Sequence, residues 1–172
     1  MATSKESIVH ALENSVFEFP ELPGRWEVPS FWGVRAHAPP QTSHPIGNLI
    51  GVSTLTEENT DSVIAQVQAF FAKRNHMVGW WLNPSSTPGD LVIRLEAAGF
   101  SKVVEQAGQV LTNMEREIKV NPVVTVRQAT QADRDDLIRL YATAYPLPEE
   151  LAAVITDVLP LAARGKPLSG LP

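Results

Sequence analysis

A chain of 172 residues, 44% hydrophobic and 19% charged, carries enough apolar surface to bury a sizeable core. Its length fits one large domain, or one of about 120 residues with part of another. The net charge of −5 opposes attraction to nucleic acid or an anionic membrane surface, and the absence of cysteine removes disulfides and thiolate metal ligands. Apolar runs such as Met77 to Leu82 fall far short of the roughly 20 residues a membrane span needs, and Lys5 and Glu6 interrupt a signal-peptide pattern. Cytoplasmic residence is therefore the expectation.

In chain order, Ser4 to Glu13 reads as a helix, with Ser4 as N-cap and Ile8, Val9 and Leu12 on one face. Val16 to Pro45 is dense in proline and aromatic residues, which excludes long helices and favours short strands. The best of these are Phe31 to Ala36 and, just beyond the run, Asn48 to Leu55. Val63, Ile64, Val67, Phe70 and Phe71 form the stripe of one buried helix face, which predicts a helix from Thr60 to Arg74. Met77 to Leu82 suits a strand covered on both sides, and Asn83 to Gly89 a loop. Asp90 to Ala98 reads as a helix, stopped by Gly99 with Phe100 folding back on Leu95. Lys102 to Glu105 and Gln109 to Met114 read as a closing pair of strands around a turn at Gln106 to Gly108.

That order implies an α/β fold with a mixed central sheet flanked by helices, complete near Ile118. Residues 119 to 122 read as a linker. Val123 to Arg127 then reads as a fresh strand, Thr130 as the N-cap of a helix carrying Leu137, Ile138 and Tyr141, and Pro148 as the start of a helix ending before Pro160. Residues 123 to 172 thus look like the opening β-α-α segment of a second domain. Its uncovered face, with Leu151, Val154, Ile155 and Val158, predicts self-association or docking on a partner.

The run AFFAKRNHMVGWWLNPSSTPGDLVIRLEAAGF, Ala69 to Phe100, resembles the helix, strand, Asn-containing loop, helix and closing Gly-Phe of the GNAT N-acetyltransferase superfamily. VTVRQATQADRDDLIRLYATAY, from Val124, resembles the opening strand and helix of another GNAT domain. The resemblance implies a tandem protein, with residues 1 to 118 as its first copy and 123 to 172 as the start of a second. It also implies acetyl transfer from acetyl-CoA to an amine substrate. The family holds the cofactor pyrophosphate on a Q/R-x-x-G-x-G/A loop, whose glycines let backbone amides approach the phosphates at a helix N-terminus. The corresponding residues here, Thr56, Glu57, Glu58, Asn59, Thr60 and Asp61, include no glycine and three acids. Each acid opposes a diphosphate by about 1 kcal/mol at 4 Å even in water. Acetyl-CoA binding by this chain is therefore not expected, and a non-catalytic interaction or regulatory module is the alternative.

Trp80, Trp81 and Asn83 are the candidate substrate contacts, although packing of one tryptophan on each sheet face explains both rings as well. Ser85 and Ser86 lack a Gly-x-Ser-x-Gly elbow and read as a turn. His37 and His44 match no zinc spacing, so no metal is expected, and His76 reads as a cation at a helix end. Glu18, Glu21 and Glu27 are equivalent candidates for a general base, while Asp133, Asp135 and Asp136 suit the opening turns of a helix.

Overall fold

The computed structural model describes residues 4–17, 25–109, 121–125, 127, 129–145 and 147–164, with side chains as far as 157 in the last stretch. Residues 13–106 form one compact unit, and residues 1–12 with 107–172 form another. Among the described residues the fold is mixed, with helices and a small three-stranded sheet. No described helix is long and apolar enough to cross a membrane.

The first helix, α1 (Lys5–Ser15), starts where Ser4 Oγ accepts the Ser7 amide at 3.1 Å, as expected of an N-cap. It runs past Glu13, and both Glu13 and Asn14 are buried. In the proline-rich segment the expected strand from Phe31 is replaced by a 3-10 turn at Ser30–Trp32, closed by Gly33 at φ 63°. The reason is tertiary. Trp32 turns inward, is 2% exposed and donates its indole N–H to Gln66 at 3.1 Å, which an extended backbone pairing with a neighbour does not supply. Only Arg35–His37 remains as strand β1.

Strand β2 (Leu49–Gly51) pairs antiparallel with β1 and parallel with β3 (Gly79–Trp81). The expectation of a longer second strand, to Leu55, fails at Val52, whose φ of 49° is left-handed and breaks the extended path. Helix α2 (Thr60–Ala72) links the parallel strands, burying Val63, Ile64, Val67 and Phe71 in the core with Trp32, Ile50 and Leu55. The predicted stripe thus becomes the inner face of the helix. Strand β3 is less covered than its composition suggested: Met77 and Leu82, at the ends of the expected strand, are exposed.

Helix α3 (Leu91–Ala97) adds Leu91 and Leu95 to the same core. Gly99, at φ 91°, donates to Glu96, and Phe100 donates to Leu95 at 3.0 Å, the paired bonds of a Schellman stop. The expected strand Lys102–Glu105 does not form. Val103 and Val104 are exposed there, and the local interaction is an ion pair from Lys102 to Glu105 one helical turn apart, not a ladder. Most of the companion strand, Gln109 to Met114, lies outside the described residues, as does Ile118.

In the other unit, no strand forms among the described residues of Val123–Arg127. Val124 instead donates to Asn121 in a turn, and Val123 is exposed. Thr130 opens the next helix as predicted. Its amide and hydroxyl both donate to Asp133, at 2.8 and 2.9 Å, ahead of α4 (Arg134–Ala144). Asp133 also takes a forked pair from Arg127. That pairing first, and the Thr130 donors after it, hold its carboxyl far below the usual range.

Helix α5 (Glu149–Arg164) continues through Pro160, contrary to the expected stop before it. It packs on α4, with Ile138, Leu151, Ala152 and Thr156 buried. Arg134 bridges the pair through two nitrogens to Asp157, at 2.7 and 3.0 Å. Part of the face expected to lie open is therefore covered: Leu151 is buried, Val154 and Ile155 are half-buried, and Val158 lies beyond the described side chains.

Candidate functional site

Where a parallel pair ends, the chain leaves the sheet and its loops diverge, which makes the strand ends the first place to look for side chains brought together. The parallel pair of this chain is β2 and β3. Their register runs from Leu49 opposite Gly79 to Gly51 opposite Trp81, and the strands meet again only at a bridge between Thr54 and Thr87. Between these points Val52 and Ser53 face the longer stretch Leu82 to Ser86. Bonds flank this break in the ladder on either side. Ser53 Oγ accepts the Trp80 indole N–H at 2.8 Å, the Thr87 amide reaches Ser53 O at 3.0 Å, and the Thr54 amide reaches Gly33 O at 3.0 Å.

The loop after β3 supports itself. Asn83 donates its amide to Ser86 Oγ at 3.0 Å, and Ser86 returns its amide to Asn83 O at 2.9 Å. Onto this loop comes the last turn of α1. The buried Glu13 carboxylate accepts the Ser85 amide on Oε1 at 3.0 Å and the Ser85 hydroxyl on Oε2, while Asn83 Nδ2 lies 3.5 Å from Glu13 O. Four residues on, the Phe17 ring covers Gly51, where a Cβ would stand 2.5 Å from the ring.

Phe17 also stacks on His37, with ring centroids 5.3 Å apart and planes within 8°. His37 Nε2–H donates to Val16 O at 2.9 Å. Burial lowers the His37 pKa below 6.5, with the Val16 carbonyl opposing and Arg25 assisting. A histidine kept neutral by the fold binds fewer protons than in the unfolded chain. Its contribution to stability is therefore full above about pH 6.5 and declines as pH falls through that value. The expected result is a fall in melting temperature between pH 7 and pH 5 that His37→Gln makes shallower; equal slopes would refute it.

The candidate residues read from the sequence separate into two places. Trp80 is partly buried and packs against the core, edge-on to Phe100 at 6.1 Å. Trp81 is half-buried, and its carbonyl lies 3.0 Å from the Gly51 Cβ position. Asn83 and Ser85 meet Glu13 as described.

Thr56 to Asp61 lie at the start of α2 and close upon themselves. Asn59 Oδ1 accepts the Thr56 amide at 2.8 Å, Thr56 Oγ1 accepts the Asn59 amide at 3.3 Å, and the Thr60 amide is taken by Thr56 O at 3.1 Å. Arg94 binds Glu57 O and Asp61, both at 3.2 Å, and Asp90 at 2.9 Å. Glu58 is exposed, and its hydrogen bond with Thr56 lowers its pKa.

His44 accepts the Ile46 amide, and His76 is bonded to Arg74 O, with its ring edge-on to Trp26. Among the described residues no group of His, Asp or Glu could hold a metal ion. Glu27 is exposed, whereas Glu18 and Glu21 lie outside the described residues.

The sequence reading missed Glu13 and Phe17. One signal was available: an acid in the last turn of a helix opposes the helix dipole, so Glu13 is poorly placed for α1 itself. Comparison of the chain with protein-family models, with curated proteins and with solved structures finds no match.

Proposed function

We propose that residues 1–118 are an N-acetyltransferase-like domain of GNAT type that does not grip acetyl-CoA, within a tandem protein whose acetyl transfer to an amine falls to the second copy that begins at residue 123. The order β1, β2, α2, β3, α3 and the Gly99-Phe100 stop support the scaffold. The observation that carries the loss of cofactor binding is the closed start of α2. The amides of Thr56, Asn59 and Thr60 are bonded within the segment itself, and Asp61 stands beside them in a pair with Arg94. A diphosphate would have to displace the chain's own bonds and meet acids, where the helix dipole alone offers only about 0.3–1 kcal/mol. Titration calorimetry of the 172-residue chain with acetyl-CoA is expected to show no heat of binding up to about 1 mM, a limit of roughly 4 kcal/mol in affinity. Micromolar affinity would overturn the proposal.

The alternative, a docking or regulatory module, draws on the exposed apolar residues Val92, Ile93, Val103 and Val104. Sedimentation decides on it: a chain that remains monomeric and binds no dye for apolar surface sinks that reading.

A further inference from the structure

A carboxylate removed from water needs hydrogen bonds to each oxygen, and Glu13 has them from a single residue. The Ser85 amide addresses one oxygen and the Ser85 hydroxyl the other, with the glutamate 7% exposed. Helix stability does not explain an acid there, because the dipole disfavours it. Nor does the loop depend on it: Asn83 and Ser86 close the turn mutually, and Thr87 ties it to Ser53. The Ser85 donors are thus positioned by bonds that persist without Glu13. They lie just beyond the carboxyl ends of the parallel strands β2 and β3.

We propose that Ser85 forms a carboxylate-binding subsite and that Glu13 is its built-in occupant, which a small-molecule carboxylate replaces when the last turn of α1 withdraws. The proposal rests on the assignment of this strand end as the binding site, and it concerns the ligand class that the site takes. Glu13 acts as a tethered competitor, present at an effective concentration far above that of a free ligand. A ligand with a carboxylate and a flat apolar group matches both elements of the occupant, Glu13 and the Phe17 ring over Gly51.

Glu13→Ala removes a fragment that acetate replaces almost atom for atom. In E13A, acetate should move the Ser85 amide resonance with a midpoint on the order of 10 mM, within the efficiency limit for so small a ligand. Acetamide and chloride at the same concentrations should leave it in place, and in the unaltered chain acetate should act at least tenfold more weakly. In E13A/S85A, loss of the hydroxyl donor should weaken the acetate response several-fold. An equal response to acetate and acetamide, or one as strong in the unaltered chain as in E13A, overturns the proposal.

Should E13A not fold, Glu13→Gln keeps the shape and removes the charge. Amide exchange at Ser85 should then quicken at least tenfold while that of Val67 and Phe71 in α2 stays the same, and unchanged Ser85 exchange overturns the proposal. Acetyl-CoA binding, measured separately, bears on the proposed function and leaves the acetate result standing.

Discussion

Phe71→Ala is expected to cost about 3–5 kcal/mol of stability, the range for removing a fully buried aromatic ring. Phe71 is 0% exposed and sits on the inner stripe of α2, edge-on to Phe70 at 5.2 Å. It belongs to the cluster that joins α2 to Ile50 of β2 and to Leu91 and Leu95 of α3. The cavity would open where helix and sheet meet, and the elements around it cannot collapse without giving up the β2 and β3 register. All four tryptophans, at 26, 32, 80 and 81, lie in residues 13–106, so indole fluorescence follows this unit alone. The melting temperature read from it should fall by about 10 °C or more. Val92→Ala on the outer side of α3, where the valine is 50% exposed, should change stability by less than about 0.5 kcal/mol. A loss below about 1 kcal/mol for Phe71→Ala would mean that α2 is not seated as described.

The helices of this unit were legible because their signals are local. The stripe from Val63 to Phe71 encodes a face, and Gly99-Phe100 encodes a stop that only a residue free to adopt positive φ satisfies at little cost. Strand lengths were not legible, because tertiary bonds set them. Trp32 leaves its strand to reach Gln66, and Val52 takes a left-handed backbone that no valine prefers. The passage of α5 through Pro160 has the same lesson, since a local breaker was overruled by the helix around it.

The candidate site divides along the same line. Thr56 to Asp61 could be judged from sequence, since the absence of glycine and the presence of acids are properties of the segment itself. The meeting of Glu13 with Ser85 joins residues 72 positions apart and has no periodic signature. Trp80 and Trp81 drew notice because of their size, and both are partly buried, Trp80 bonded to Ser53 and edge-on to Phe100. The chemically suggestive contact lies instead in two residues that a chain-order reading assigns to a helix end and a turn.

Gly51→Val tests that meeting point from the opposite face and should cost about 1–3 kcal/mol by overpacking. The strand backbone itself accepts valine, so the cost arises from what surrounds it. The first added carbon would stand 2.5 Å from Phe17 and 3.0 Å from the Trp81 carbonyl. The carbonyl is fixed by the parallel pairing of β2 with β3, and the ring is the part able to move. Phe17 should leave the sheet, abandoning its stack on His37 and returning water to the imidazole. His37 should then titrate closer to 6.5, reversing the desolvation that lowers it. Gly89→Ala is the control, since a Cβ there meets nothing within 4 Å, and its effect should lie within about 1 kcal/mol. Proton resonances of His37 followed against pH read the outcome directly, and an unshifted titration would place Phe17 elsewhere. Because Glu13 and Phe17 hold the sheet end by different means, one by charge-assisted bonds and one by area, Gly51→Val should leave the Ser85 amide protected. Loss of that protection together with the His37 shift would make the two contacts a single latch, released as one.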